Sequence, residues 1–435
     1  MKDVFLSQSS KQGGYYDSPM TTSTLNPIAP SGSNSLRKDA QVIGLVGVAH
    51  MISHFSQLLL PPLFPWLKEA FNASYTELGF LMTVFFVVSC IVQTLSGFVV
   101  DRFGPRPILF AGLSCLGLAA FGFSISTSYW MMACFSALAG VGNGVFHPVD
   151  YTLINRKVSA SRLGHAYSTH GVTGSLGWAL APVMMVPIAL AYSWRVALMS
   201  AGALAFIVLA LLILNRDKLT LAPSAPPSPS KATQGAGEGG LDFLKIPAVW
   251  MCFGFFLLYA IVISVIQAFA PEAARQLHGV PVAMAAVCLT IYMVCSAGGM
   301  VVGGFLAADP SRCERVVGCA FGVAAVFALT LGLAPLPGFA VPFVFGVMGF
   351  ASGIAGPSRD LLVKKSTPEN STGRVYGVVY SGLDIGQAIA PLFFGSLMDH
   401  HNYSGVFIGL AVVQCILIAS AFNVRRARRT ALAVA

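Results

Sequence analysis

Apolar runs of membrane-spanning length recur along most of the 435 residues, and no other feature limits the fold as much. A transmembrane helix needs roughly 20 mainly apolar residues. Such runs lie at about 42–66, 77–100, 107–126, 129–154, 164–190 and 194–214, and again at about 247–270, 283–306, 316–334, 339–362, 374–397 and 404–422. Only 10% of residues are charged, against about 25% in soluble domains. The expected fold class is therefore an all-α polytopic membrane protein. It has twelve transmembrane helices in two pseudo-symmetric six-helix bundles. Soluble enzymes, disulfide scaffolds and disordered proteins are excluded.

Between the two sets of runs, the Pro- and Ser-rich stretch Ala222–Pro229 is followed by Gly-rich sequence. That composition reads as a flexible linker. The expected organisation is a disordered cytoplasmic tail over 1–40, a six-helix bundle over 41–214 and a cytoplasmic linker over 215–245. A second bundle follows over 246–423, then a basic cytoplasmic tail over 424–435. The first 40 residues are rich in Ser, Thr, Pro, Gly and Asn and lack the early apolar stretch of a signal peptide.

The placement of Lys and Arg predicts orientation. With an even number of spans both termini share one side. If that side is the cytoplasm, all but Lys68, Arg195 and Arg275 of the 26 basic residues lie on it. The net charge of +9 then faces anionic lipid rather than nucleic acid. Nine cysteines form no Cys-x-x-Cys pair, so small core residues in a reducing setting are expected, without disulfides.

The two sets of runs repeat each other. Gly140 pairs with Gly349, a shift of 349 − 140 = 209 residues. The same shift pairs Gly144 with Gly353, Pro148 with Pro357, Gly164 with Gly373, Tyr167 with Tyr376, Gly177 with Gly386, and Ala181-Pro182 with Ala390-Pro391. Six spans repeated in one orientation imply a parallel duplication with a cavity where the halves meet.

Polar residues inside the spans are the candidate chemistry, because ionisable groups at membrane depth are costly and usually line a pathway. His147 lies ten residues before Lys157, about 15 Å along a helix. Asp150, three residues on, shares its face. A histidine beside a carboxylate suits proton exchange near neutral pH, so His147 and Asp150 are the expected proton-coupling pair. His50, His54 and Gln57 form one stripe at i, i+4 and i+7. With Asn143, His170, Gln267, Asp384 and Gln387 they are the expected lining of a substrate cavity. Pro148 and Pro357 each free a backbone carbonyl, that of Gly144 or Gly353, and predict kinks at matching places. The pairs Gly140/Gly144 and Gly349/Gly353 read as close-packing signals.

Gly97, Asp101, Arg102, Gly104 and Arg106 fit the pattern Gly-x3-Asp-Arg-x-Gly-x-Arg between spans 2 and 3. Here the sequence resembles the major facilitator superfamily, whose signature loop has this form and place. The resemblance implies a cytoplasmic gate motif that latches the outward-open state. A weaker counterpart surrounds Gly304, Asp309 and Arg312. Ser136 stands where many proton-coupled members carry Arg. Gly171, Gly174, Gly177 and Pro182 are similar to the span 5 motif of superfamily antiporters, though Ala181 replaces a usual Gly.

His50-Met51, Leu58 to Pro62, Pro65, Leu67-Lys68, Ser74 to Thr76, Gly79 and Gly144 to Pro148 resemble the fosmidomycin-resistance group of drug exporters. That likeness implies proton-driven export of a small, polar anion across a bacterial inner membrane. His54 and Val149 stand where that group usually has acidic residues. The segment Asp101 to Arg106 also resembles monocarboxylate-type carriers, which implies proton-coupled uptake as the alternative.

No nucleotide-binding Gly-x4-Gly-Lys-Ser/Thr loop and no Gly-x-Ser-x-Gly elbow is present. The chain is expected to be a secondary transporter rather than an enzyme, without cofactor. Its expected partners are a small-molecule substrate, protons and membrane lipid, and it is expected to act as a monomer. A metalloenzyme built on His50, His54 and His147, and a sensor that binds ligand without moving it, are the readings from other classes. No metal site is expected, since the histidines lack accompanying Cys-x-x-Cys or dense His repeats.

Overall fold

The computed structural model describes residues 32–221, 247–307, 312–366 and 372–434, and they are almost wholly helical. The first half contains α1 (Gly32–Gln57), α2 (Phe64–Phe71), α3 (Tyr75–Phe103), α4 (Pro105–Ile125) and α5 (Tyr129–Asn143). It continues with α6 (Phe146–Lys157), α7 (Leu163–Ala191), α8 (Trp194–Leu214) and the short α9 (Arg216–Leu219). The second half contains α10 (Pro247–Ala268), α11 (Ala270–His278), α12 (Val282–Leu306) and α13 (Cys313–Leu333). α14 (Ala340–Ser366), α15 (Thr372–Asp399) and α16 (Tyr403–Val434) complete it. Eleven segments are long and apolar enough to cross a membrane among the described residues. The run at 374–397 falls in α15, many of whose side chains lie outside the described residues.

Glycine decides how the helices pack. A Cβ on Gly140 would lie 2.5 Å from the Phe85 carbonyl oxygen, and one on Gly144 2.6 Å from that of Ser89. α5 is thus pressed on α3 backbone to backbone. Their repeat partners do the same on α14: side chains at Gly349 and Gly353 would strike the Tyr292 and Ser296 carbonyl oxygens of α12. Close approach of small residues replaces the hydrophobic drive that lipid cannot supply.

Two boundaries differ from expectation. Helix α1 begins at Gly32, inside the stretch expected as tail. Asp39 holds that first part down, accepting hydrogen bonds from Ser159 and from Arg162 Nε at 2.8 Å. The start of the expected linker is also ordered, because Lys157 Nζ donates to the carbonyls of Lys218 (2.5 Å) and Thr220 (2.7 Å). Residues 1–31 and 222–246, including most of the expected tail and linker, lie outside the described residues. At the C-terminus α16 runs on to Val434, so the basic Arg425–Arg429 segment continues the last helix. No disulfide is formed among the described residues.

The halves are clasped at the end remote from the basic loops. Asp399, last in α15, accepts from the amides of Tyr75 (2.6 Å) and Thr76 (2.9 Å) and from the Thr76 hydroxyl (2.6 Å). These amides open α3, where unpaired N–H groups and the helix dipole favour an anion. The α3 start is also capped by its own Ser74 and Glu77. Beside it the Tyr75 hydroxyl donates to Glu272 (3.1 Å), which Arg275 grips with two bonds of 2.7 Å. Gly79 allows contact with the Pro391 carbonyl, and Gly395 with Thr76.

Burial pushes the Asp399 carboxyl up, but the bonds from Thr76 and Tyr75 outweigh it and hold the group below its ordinary value of 3.8. A depressed carboxylate stabilises above its unfolded value and loses that contribution as pH falls through its folded one. Asp399→Asn should therefore lower stability by about 1–2 kcal/mol at neutral pH, allowing for solvent screening. The gap should stay flat from about pH 5 to 8 and close below about pH 4. Thermal unfolding of both proteins in detergent across that range checks it.

Candidate functional site

The polar stripe of α1 faces inward, as its spacing predicts. Its room comes from glycines on α7. A Cβ on Gly174 would lie 2.8 Å from the His54 ring and 3.1 Å from His50, and one on Gly177 would strike the Met51 carbonyl. With those positions bare, His50 stacks on His170 at 3.6 Å between ring centroids, and His54 stacks on Trp178 at 4.3 Å. The Trp178 indole donates to Gln57 Oε1 at 2.9 Å.

The break between α5 and α6 brings the remaining groups in. Pro148 frees the Gly144 carbonyl, which accepts from the Ser96 hydroxyl at 3.4 Å. Asn143 ends α5 as a hub. Its Oδ1 accepts from Ser53 (2.8 Å) and Gln57 (3.1 Å), and its amide donates to Ser89 (2.8 Å). Pro357 lies inside α14, which continues without a break. The two expected kinks are thus not equivalent: the first is held open by Ser96 and Asn143.

Beyond the break, Asp150 is completely buried. His170 Nε2 lies 3.1 Å from its Oδ2, and His50 Nδ1 lies 3.0 Å from the same oxygen. The His50 contact is misaligned for a hydrogen bond, and His50 Nδ1, His54 Nδ1 and Asp150 Oδ1 have no hydrogen-bond partner among the described residues. Among the described residues, Asp150 has only histidines as ion-pair partners. A buried carboxylate without a fixed cation is compensated by protonated imidazole, by a bound cation or by its own proton. By spacing, the trio His50, His54 and His147 and the trio His50, Asp150 and His170 could also gather round an ion, since the donor atoms of each lie within 4.8 Å.

His147 behaves differently from expectation. It shares a helix face with Asp150 but bonds elsewhere: its Nδ1 lies 2.9 Å from Gln93 Oε1 on α3. The Gln93 amide in turn donates to Asp384 Oδ2 at 3.2 Å, across to the second half. Gly382 and Gly386 press α15 against the Phe253 and Leu257 carbonyls of α10. Asp384 lies two residues from each, about 200° around the helix, so it points the other way, toward α3.

The structure therefore assembles His50, His54, Gln57, Asn143, His147, Asp150 and His170 into one connected site, with Asp384 joined through Gln93. Among the described residues, no hydrogen bond joins Gln267 or Gln387 to it. Both are buried, but the Gln267 side-chain atoms and Gln387 Oε1 find no partner among the described residues. Sequence reasoning missed Gln93, Trp178, Ser53 and Ser89. Gln93 was detectable as a lone amide inside an apolar run; Trp178 carried no signal distinguishing it from packing. Near Gln57 and Ser136 a cavity of about 20 Å³ is lined by Phe85, Phe86 and Phe123.

The signature loop turns at Gly104, whose φ of +81° favours glycine. Arg106 donates to Thr220 at 2.6 Å. Asp101 and Arg102 are exposed, and no described helix N-terminus donates to Asp101. Asp309, in the weaker counterpart, lies outside the described residues.

The family model described as Major Facilitator Superfamily matches residues 46–377 and 257–433. The chain belongs to the major facilitator superfamily. Among its superfamily relatives, it is 32% identical over 154 residues to the membrane sensor protein UhpC of Salmonella typhimurium, covering 33% of this chain and 35% of that one. It is 27% identical over 195 residues to the fosmidomycin resistance protein of Escherichia coli, covering 42% and 45%. These matches span about a third to a half of the relatives' lengths. The hexuronate transporter of Bacillus subtilis matches at 22% over 404 residues, covering 87% and 93%. Among solved superfamily structures, an inward-facing, occupied bacterial homologue of the human lysosomal transporter Spinster shares the fold. Its TM-score is 0.73 at 14% identity, covering 89% of this chain and 97% of that one.

Imidazoles beside Asp150 can stay neutral when the carboxylate is removed, whereas a carboxylate that loses its imidazole stays buried and unpaired. Removing one partner of a buried pair is costly when the other is left charged, and little is lost when the other can become neutral. Asp150→Asn should keep or raise the thermal midpoint, and His170→Leu should lower stability by about 1–3 kcal/mol. Unfolding scans in detergent compare them; a large loss in Asp150→Asn would give the carboxylate a structural role instead.

Proposed function

We propose that this chain is a proton-coupled secondary transporter that exports a small organic compound, with an organic anion as the favoured class. It would work by alternating access in a plasma membrane, the bacterial inner membrane being favoured, with both termini cytoplasmic. The observation carrying this reading is the buried Asp150 among His50, His54, His147 and His170, joined through Gln93 to Asp384 of the other half. Imidazole and carboxyl groups each change charge by a single proton, so such a cluster can take one up and give it back.

In this reading His147 and Asp150 exchange the proton. His50, His54, Gln57, Asn143, His170, Gln267, Asp384 and Gln387 line the route. Protonated imidazoles supply the positive charge that draws an anion in. Losing the proton removes that charge and releases the anion. The motif from Gly97 to Arg106 acts as the cytoplasmic gate, and Pro148 and Pro357 let their spans bend as the halves rock. The likeness of the first half to a fosmidomycin resistance protein favours export. The hexuronate transporter, matched along almost its whole length, favours a second reading: proton-coupled uptake of an organic anion.

Proteoliposomes with an imposed pH gradient test both readings, using labelled fosmidomycin and glucuronate as probes. Proton-driven flux is expected in wild type and should fall at least about tenfold in His147→Ala, a loss of about 1.4 kcal/mol or more in barrier terms. The direction of movement against the proton gradient separates export from uptake. Undiminished flux in a folded His147→Ala protein would remove that histidine from the mechanism. Binding without movement would point to a sensor.

A further inference from the structure

We infer that Gln93 is a positioning residue that transmits the protonation state of Asp384 in one half to the ring of His147 in the other. This rests on the proton-coupled reading of the same site and gives it a physical link between the halves.

A glutamine side chain ends in one acceptor and one two-hydrogen donor. Here both ends are engaged, with His147 Nδ1 on the oxygen and Asp384 Oδ2 on the amide nitrogen. An ionised Asp384 only accepts, so it holds the Gln93 NH2 toward itself. The Gln93 oxygen then faces His147, whose Nδ1 must carry the hydrogen. His147 Nε2 is left with its lone pair; one ring nitrogen from each of His50, His54 and His147 lies within 4.8 Å of the others.

Protonating Asp384 gives it an O–H donor that can pair with the Gln93 oxygen in place of the NH2. The new carboxyl O–H donates, the Gln93 amide rotates to offer its oxygen, and its NH2 turns to His147. Nδ1 must then accept, so the ring gives its Nδ1 proton to solvent and takes one from solvent at Nε2. The imidazole stays neutral, and the only net proton gained is on Asp384. His147 now presents N–H, instead of a lone pair, to the histidine cluster. One proton in the second half changes the hydrogen bonding of the first without crossing between them.

The local packing serves this contact. Gly144 lies against Ser89, Val92 and the Gln93 backbone nitrogen, with 3.0 Å to the last for a Cβ placed there. Bare backbone at this point brings α3 close enough for Gln93 to reach His147, one turn further along. The titratable groups around the link are His50 and His54 of α1, Asp150 and Tyr151 of α6, His170 of α7, and Cys90 of α3 beside Asp384. Behind Asp384, α10 presents Leu257 and Ala260.

The test uses the full-length protein in nanodiscs, labelled with 15N-histidine and 13C-aspartate, with His147→Ala and Asp384→Asn assigning the signals. In wild type the neutral His147 ring should be Nδ1–H when Asp384 is ionised and Nε2–H when it is protonated, with one shared midpoint. Gln93→Met keeps the side-chain volume but neither donates nor accepts through an amide. In this variant the tautomer ratio should no longer follow Asp384, and Gln93→Leu gives the same comparison should Gln93→Met fail to fold. A wild-type ring that ignores Asp384, or a variant ring that still follows it, overturns the inference. Loss of proton-driven flux in wild type with the tautomer link intact would instead remove the transport reading and leave this one standing.

Discussion

A carboxylate buried among apolar helices, with histidines rather than a fixed cation beside it, is the constraint around which this protein is organised. Asp150 is fully enclosed, and its partners are imidazoles from α1 and α7. Oil-like surroundings penalise such a charge heavily unless it is paired or neutralised. Lysine or arginine would pair it permanently. Histidine pairs it conditionally, and that condition turns a costly group into a movable one.

The helix packing follows from making room for that cluster. Gly174 and Gly177 let α7 approach α1, so the His50 and His54 rings fit between them. Gly140 and Gly144 let α5 approach α3, so Asn143 meets Ser89 and His147 meets Gln93. In lipid, where apolar surface gains little by burial, such backbone contacts and interhelical hydrogen bonds carry association. The same small residues therefore hold the bundle together and shape its site. The clasp at Asp399 adds a contact of another kind, a carboxylate of one half on the opening turn of a helix in the other.

Much of the site was legible before any coordinates. The spacing of His50, His54 and Gln57 placed them on one inward stripe, because a polar face on an apolar helix has nowhere else to go. Pro148 marked the break in span 4, since its missing N–H leaves a carbonyl unpaired. The pairing of His147 with Asp150 was less accurate. Helical spacing shows which residues share a face, but not which neighbouring helix supplies the partner. His170 and His50 reach Asp150, while His147 turns to Gln93. Gln267 and Gln387 satisfy the same polarity rule as His50 and yet, among the described residues, form no hydrogen bond to the cluster. Polarity within a span says that a residue is interior, not that it belongs to a given site.

The sequence by itself determined the all-helical membrane class, the duplication, and the set of polar positions that lipid would reject. Those follow from hydropathy, period and repeat, which are local or additive along the chain. Tertiary structure alone decided the partners: which imidazoles meet Asp150, that Gln93 joins His147 to Asp384, and that Asp399 caps α3. These contacts join residues from 20 to 324 positions apart, and interhelical distance and rotation, set by glycines far along the chain, choose among many candidates of equal chemistry.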